Sequence, residues 1–255
     1  MRILLAVWLI VSSTIVLMAQ VKKVLPPAQK PSFESSLQTV VVTTPDWNSL
    51  KGTARLFERK SLTSAWKQVG EAFPVVVGKN GLGIDQTQGW RTDSVNVAKH
   101  EGDGRAPAGI LPLTFAFGRP QKPGEVKLPY TRLEQFTECV DDVKSSHYNT
   151  IVDRMKVGNF DWKSSEKMLE VGDQYDLGVF VAYNSYPAFR GSGSCIFLHI
   201  WKNAETGTAG CTAMAREDLE KVVKWLDPKK NPHLIQMPEA TYQTYRKSWN
   251  LPSLE

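Results

Sequence analysis

Residues 191–214 read GSGSCIFLHIWKNAETGTAGCTAM, and they carry the strongest structural signal in the chain. Cys195–Trp201 is a short apolar run typical of a buried strand, and the polar residues 184–194 before it predict a turn. Leu177–Tyr183 is a second apolar run on the other side of that turn. The sequence therefore predicts two successive strands, with a polar loop after the second.

His199, near the end of the second predicted strand, and Cys211, twelve residues later, form the candidate chemical pair. A thiol must lose its proton to attack an acyl carbon, and an imidazole can take that proton and later protonate a leaving amine. Gly207 and Gly210 lie between them, so the chain can turn back and bring the two side chains together. The backbone N–H groups of Gly210 and Cys211 are natural donors to a tetrahedral oxyanion. From the residues alone, the alternative is a buried thiol and a structural histidine.

The rest of the chain predicts a mainly β fold. Frequent Gly and Pro, with short apolar segments broken by turn residues, favour many strands over a helical bundle. Residues 84–135 are polar and predict a long loop or set of turns that enters a strand near 110–113. Arg216–Leu226 is the one convincing amphipathic helix. Further strands are predicted at Leu37–Thr44, Thr53–Glu58, Phe73–Val77 and His233–Met237.

The predicted organisation has four parts. Residues 1–19 combine a basic start with an apolar run, the pattern of an export signal, although such a run can also act as an uncleaved anchor. Residues 20–36, rich in Pro, Lys and Ser, predict an extended linker. One globular domain at 37–238 and a peripheral C-terminal tail at 239–255 complete the chain. We expect the body of the protein outside the cytoplasm, with membrane contact only through the signal or anchor.

Charge and ligand patterns narrow the classes of partner. The formal net charge is +5, but no stripe of Lys and Arg interleaved with aromatics predicts nucleic-acid binding. No residue set has the spacing of a metal site, so neither a metal nor another cofactor is expected.

The chain has three cysteines, which in an oxidising compartment allow one bridge and one free thiol. If Cys211 is free, Cys139 and Cys195 are the candidate pair, but two separate buried thiols fit the sequence as well. Cys195 is not predicted to be a second nucleophile, because a regular strand would hold it about 13 Å from His199.

The arrangement resembles the YkuD-type L,D-transpeptidase catalytic domain, whose hallmark is a strand ending in His, a short loop and Ser/Thr-x-Gly-Cys. His199 and the stretch Thr208-Ala-Gly-Cys211 match these elements. The stretch GDGRAPAGILPL, residues 102–113, resembles the family's Thr-Pro-x-Gly-x-Phe/Tyr segment, and Asp141–Asn149 resembles an element of a divergent branch. The resemblance covers roughly residues 38–238 and implies a mainly β, sandwich-type catalytic domain with one principal helix after the nucleophile.

The resemblance also implies acyl transfer on peptidoglycan stem peptides in the bacterial cell envelope, without a cofactor. Cys211 would attack the carbonyl before a terminal D-amino acid, His199 would act as general base, and an amine would resolve the thioester. A hydrolase that uses water as the acceptor is one alternative, and a noncatalytic wall-binding module is another.

Two departures from the family pattern concern substrate binding. The best-known members have His at the position of Ala209, and an Arg shortly after Cys where this chain has Thr212-Ala-Met214. Arg190 is a candidate replacement, since a guanidinium binds carboxylate bidentately, although a solvated turn residue is the alternative. Thr208 and His147 are the other candidate substrate-binding residues.

Overall fold

The computed structural model describes residues 32–85 and 97–255. The predicted signal or anchor at 1–19, and the linker as far as residue 31, lie outside the described residues. Within the described part, no helix has the length and apolar character needed to cross a membrane. Thirteen strands and three short α-helices make the described chain mainly β, as predicted.

The predicted strands and helix all occur, with shifted ends; for example, the third strand starts at Lys67 rather than Phe73. The strands are β1 Gln38–Thr44, β2 Lys51–Glu58, β3 Lys67–Val76, β4 Leu82–Ile84, β5 Ala106–Gly118, β6 Tyr130–Arg132, β7 Thr137–Val140, β8 Ile151–Asp153, β9 Ser165–Lys167, β10 Gly178–Val181, β11 Phe197–Ile200, β12 Thr212–Met214 and β13 His233–Pro238. The α-helices are α1 Arg154–Val157, α2 Arg216–Trp225 and α3 Glu239–Arg246, and 3-10 turns lie at Ser32–Ser35, Gly172–Tyr175 and Pro228–Lys230.

The large sheet closes on itself. Its strands follow the order β10-β11-β12-β3-β2-β1-β13-β5-β4, and β10 also pairs with β5, so eight strands form a continuous ring. β1 lies between β2 and β13, and all seven of its residues are buried. Burial on both faces accounts for its unbroken β-branched run, because neither face of the strand meets solvent.

β5 corrects the expectation for residues 84–135. The predicted loop enters a strand near 110–113, but the strand begins at Ala106 and runs for 13 residues to Gly118. Pro112 lies inside β5 and lacks an N–H, yet its carbonyl still accepts a hydrogen bond from Ala182 N at 2.8 Å. Proline therefore interrupts the bonding of β5 locally without ending the strand.

Two segments predicted to lie outside the globular domain, the linker and the C-terminal tail, pack on it. Residues 239–255, predicted as a tail, contain α3, whose Tyr242 is fully buried. Phe33, in the predicted linker 20–36, is buried in the main core and stacks on Trp66 with ring centroids 5.5 Å apart. Single aromatic side chains bury a large apolar area, so they fix segments whose overall composition is polar.

A second, small sheet has the strand order β8-β7-β9, with both pairings antiparallel. Strands of three or four residues leave too little periodicity to be recognised from sequence. A disulfide between Cys139 of β7 and Cys195 joins this sheet to the segment before β11. The small sheet is thereby fixed beside the strand that carries His199.

Candidate active site

β11 and β12 bring His199 and Cys211 to one face of the large sheet. The two strands are parallel neighbours, with His199 opposite Ala213. Cys211 precedes Ala213 by two residues, so strand alternation directs its side chain to the face of His199. Both side chains line a cavity of about 360 Å³. The remaining walls come from β9, the turn at Gly172–Tyr175 and the loop after β11.

The His199 imidazole is held in one tautomer. Its Nδ1 lies 2.8 Å from the Ile200 carbonyl oxygen, and because a carbonyl only accepts, Nδ1 carries the proton. The lone pair of Nε2 is therefore available for a second proton. Burial lowers the pKa of His199 to about 4, so the ring is neutral at neutral pH. Tyr175 packs edge-on against the ring, with centroids 5.3 Å apart, and limits its rotation.

Cys211 is a buried free thiol. The Phe197 N–H donates to its Sγ at 3.4 Å, and the thiol donates to the Cys195 carbonyl oxygen at 3.5 Å. Burial, followed by the negative charge of Glu166, raises the pKa of Cys211 well above its ordinary value. The resting pair is therefore a neutral thiol and a neutral imidazole, and the thiol must lose its proton as it attacks.

Thr208 holds the loop between β11 and β12. Its backbone N–H donates to Val77 O at 2.9 Å, and its hydroxyl donates to Cys211 O at 2.6 Å. The same hydroxyl accepts from the Gly210 N–H at 3.1 Å. Thr208 lines the cavity, and its hydroxyl already makes two hydrogen bonds within the loop. The Gly210 amide, a predicted oxyanion donor, is thus already hydrogen-bonded to Thr208. The Cys211 amide is the other predicted donor.

The two glycines of this loop are explained by packing. A Cβ at Gly207 would lie 2.5 Å from Lys79 Cα, and one at Gly210 would lie 3.2 Å from Arg105 O. Gly210 therefore lets the loop lie close to the backbone of the stretch 102–113. Arg105 is structural here, since its Nη1 donates to two backbone carbonyl oxygens at 3.0 Å.

The Cys139–Cys195 disulfide has its Cα atoms 5.9 Å apart, and it leaves Cys211 as the free thiol. Cys195 has a left-handed backbone, φ 54°, which ends the regular strand, so β11 starts at Phe197 rather than at Cys195. Its N–H donates to Asn149 Oδ1 at 2.9 Å. The bond to Cys139, rather than distance along a strand, removes Cys195 as a nucleophile.

The stretch Asp141–Asn149 supports the turn before β11. Asn149 Nδ2 donates to Tyr183 O at 2.9 Å, and the Tyr148 hydroxyl accepts from Gly193 N at 3.1 Å. Neither side chain lines the cavity. This stretch therefore positions the backbone of Cys195, which in turn accepts from the Cys211 thiol.

Arg190 and His147 do not line this cavity, and their roles in substrate binding stay predictions. Arg190 is exposed, and its Nη1 donates to Lys144 O at 3.1 Å. His147 packs edge-on against Trp162, with ring centroids 5.5 Å apart. The turn that carries Arg190 folds toward residue 144, so its closeness to His199 in sequence does not bring it to the cavity.

Three ionisable residues of the cavity, Lys202, Glu166 and Tyr175, were not predicted from the sequence. Lys202 follows β11 almost directly, and this position next to the histidine strand was a usable signal. Glu166 of β9 and Tyr175 come from short elements that reach the cavity only in the folded chain. The Tyr175 hydroxyl donates to Glu166 Oε2 at 2.7 Å, and burial raises the pKa of Glu166 to about 7.

The two departures from the family pattern have clear locations. Ala209 is exposed and lines the cavity, so a histidine there would face the cavity. Thr212–Met214 forms the buried strand β12, with the Thr212 hydroxyl 2.6 Å from Gln236 Oε1, and it brings no cation to the cavity. Within residues 32–85 and 97–255, no group of three or more His, Cys, Asp or Glu is arranged to hold a metal.

Comparison with protein families matches residues 54–235 to the family YkuD, described as the L,D-transpeptidase catalytic domain. The matched region runs from β2 to β13, covers more than half of the 255 residues and includes His199 and Cys211. Neither the curated proteins nor the solved structures contain a match to the chain. The chain therefore belongs to the YkuD family of L,D-transpeptidase catalytic domains.

Proposed function

We propose that the protein is an L,D-transpeptidase that acts on peptidoglycan stem peptides, with Cys211 as nucleophile and His199 as general base. One observation carries the proposal: a free thiol shares a cavity with a neutral imidazole whose Nε2 lone pair is available. The family match supports the same class of acyl transfer.

The first half of the reaction forms the acyl-enzyme. As the stem peptide enters, the thiol proton passes from its contact with Cys195 O to Nε2 of His199, and Sγ attacks the peptide carbonyl carbon. The imidazolium then returns the proton to the amine of the leaving D-alanine, and a thioester to Cys211 remains. The Phe197 N–H, 3.4 Å from Sγ, stabilises the sulfur while it carries negative charge.

The backbone amide of Cys211 is the proposed oxyanion donor. The Gly210 amide can add a second hydrogen bond only if it gives up Thr208 Oγ1, 3.1 Å away. Donors fixed before the reaction stabilise the developing charge without reorganisation, so this rearrangement would reduce the benefit from Gly210.

Lys202 is the proposed site for the terminal carboxylate of the donor peptide. It lines the cavity and follows the His199 strand, whereas Arg190 does not reach the cavity. An ammonium group binds carboxylate as a single point charge, so the contact is less directional than that of the arginine in the best-known family members.

The proposed location is the bacterial cell envelope, where the stem peptides are found. The disulfide between Cys139 and Cys195 supports an oxidising compartment, since such bonds are rare where thiols are kept reduced.

Incubation of the purified protein with a disaccharide tetrapeptide, followed by mass spectrometry of the products, tests the proposal. We expect D-alanine release and a cross-linked dimer from the wild type, and neither product from Cys211→Ala. Lys60→Gln, an exposed site outside the cavity, should keep both products. Tripeptide without dimer would identify a hydrolase, and D-alanine release by Cys211→Ala would refute the mechanism.

A further inference from the structure

A carboxyl and a phenol form a pair on the wall of the cavity that holds Cys211. Glu166, in the middle of β9, lines this cavity together with Tyr175. The Tyr175 hydroxyl donates to Glu166 Oε2 at 2.7 Å, and the Tyr175 ring packs against His199. The Glu166–Tyr175 pair is thus held beside His199 and Cys211. Neither Glu166 nor Tyr175 reacts in the proposed formation of the acyl-enzyme.

Among the described residues Glu166 has no cationic partner, unlike a buried carboxylate on the adjacent strand. Glu138, on the adjacent strand β7, forms ion pairs with Lys167 and Arg154 and is almost fully buried. Glu166 follows the opposite alternation of β9 and faces the cavity. In the described part of the chain no cation pairs with it, and the negative charges of Asp141 and Glu101 act on it.

A carboxylate in this position is well suited to receive a cationic group from a ligand. Removing a charge from water is costly unless an opposite charge accompanies it, so an incoming ammonium would recover part of that cost. Burial raises the pKa of Glu166 to about 7, so the carboxyl changes ionisation near neutral pH, as an efficient proton acceptor should. If its role were purely structural, a glutamine would serve equally well.

We propose that Glu166, oriented by Tyr175, binds and deprotonates the acceptor amine in the second half of the reaction. The inference rests on the proposed acyl-enzyme at Cys211. Glu166 is then a catalytic residue, because it touches the reacting amine, and Tyr175 is a positioning residue.

The acceptor amine loses two protons in this half of the reaction. The acceptor enters as an ammonium ion and gives one proton to the Glu166 carboxylate. The free amine attacks the thioester carbon, and its second proton passes to Nε2 of His199. The new C–N bond forms, the C–S bond breaks, and the Cys211 thiolate recovers its proton from His199. The Glu166 carboxyl then loses its proton to solvent.

The test compares the full-length wild type with Glu166→Gln and with Glu170→Gln, an exposed carboxyl on the same segment. The disaccharide tetrapeptide is both donor and acceptor, and mass spectrometry gives D-alanine release and the ratio of dimer to tripeptide. We expect Glu166→Gln to release D-alanine in the first turnover at least as fast as the wild type, because loss of the negative charge beside Cys211 eases deprotonation of the thiol, while its dimer-to-tripeptide ratio falls at least about tenfold. Glu170→Gln should match the wild type, and Glu166→Asp should recover part of the ratio.

The role of Tyr175 is tested through pH. The hydrogen bond from Tyr175 lowers the pKa of Glu166, against the larger effect of burial. Tyr175→Phe should therefore move the midpoint of the dimer ratio to higher pH, a change that a merely structural role would not produce. The dimer ratio of Glu166→Gln should no longer vary with pH around 7.

Four outcomes distinguish a failure of this inference from a failure of the proposed function. An unchanged dimer ratio in Glu166→Gln would overturn the inference and leave the function intact. So would an equal loss of D-alanine release and dimer in both Glu166 variants, because the residue would then act before aminolysis. A wild type that makes only tripeptide would overturn both transfer and the inference, and a wild type that releases no D-alanine would overturn the proposed function itself.

Discussion

Replacing Glu166 by glutamine should stabilise the protein, and by more at pH 8 than at pH 5. Burial raises the pKa of Glu166 from an ordinary 4.5 to about 7 in the folded chain. Between these values the folded protein keeps a proton that the unfolded chain has lost. The stability of the wild type therefore falls as the pH rises through 7. Glutamine keeps the shape and the acceptor for the Tyr175 hydroxyl but cannot ionise.

The size of the effect follows from the pKa difference. A rise from 4.5 to about 7 corresponds to about 3 kcal/mol of destabilisation once Glu166 is fully ionised in both states. At pH 5 the folded carboxyl is still protonated, and only about 1 kcal/mol of this cost is present. Relative to the wild type, the variant should thus gain about 2 kcal/mol in free energy of unfolding between pH 5 and pH 8.

Urea denaturation followed by tryptophan fluorescence measures this difference, since the chain has eight tryptophans. Urea is preferable to guanidinium because a salt would screen the charges involved. Glu170→Gln, on the exposed surface, should change stability by less than about 0.5 kcal/mol at both pH values. If Glu166→Gln has the same effect at pH 5 and pH 8, or destabilises the protein at pH 8, the cavity does not desolvate this carboxyl and the reasoning is refuted.

Lys202→Gln should raise KM about tenfold with little change in kcat, because one charged contact to the substrate carboxylate is lost. In the same steady-state assay, Lys60→Gln should alter neither constant. The rate of acylation by a carbapenem should stay constant on acidification until the pH nears 4, because burial holds the pKa of His199 at about 4. A rate that falls with a midpoint near pH 6.5 would mean that the His199 ring is solvated. Cys139→Ser should lower the free energy of unfolding by about 4 kcal/mol in urea, since it opens a loop closed across a separation of 56 residues. Cys139→Ser should also slow acylation, because the Cys195 carbonyl contacts the Cys211 thiol at 3.5 Å. A variant that is as stable and as fast as the wild type would contradict both expectations.

The central pair could be predicted from sequence because it lies within one strand-loop-strand unit. His199 and Cys211 are twelve residues apart, and the glycines between them predict a turn. The helix α2 was equally accessible, since its buried Leu219, Val222 and Val223 follow the helical period. In both cases the deciding contacts are local.

The remainder of the site depends on contacts distant in sequence. Glu166 and Tyr175 reach the cavity because the small sheet packs beside β11, and strands of three or four residues give no periodic signal. Arg190 is close to His199 in sequence, but the turn that carries Arg190 folds away from the cavity. The left-handed backbone at Cys195 likewise follows from its neighbours in space rather than from its own preference.

The most direct test of the central claim is the mass of the covalent intermediate. The full-length protein is mixed with a stem tetrapeptide, quenched in acid within a single turnover, and digested for peptide mapping. The account predicts an adduct on the peptide that contains Cys211, with the mass of the donor minus D-alanine, and no adduct on Cys211→Ala. D-alanine release with the adduct on another residue, or without any adduct in the burst phase, would contradict the assignment of Cys211 as nucleophile.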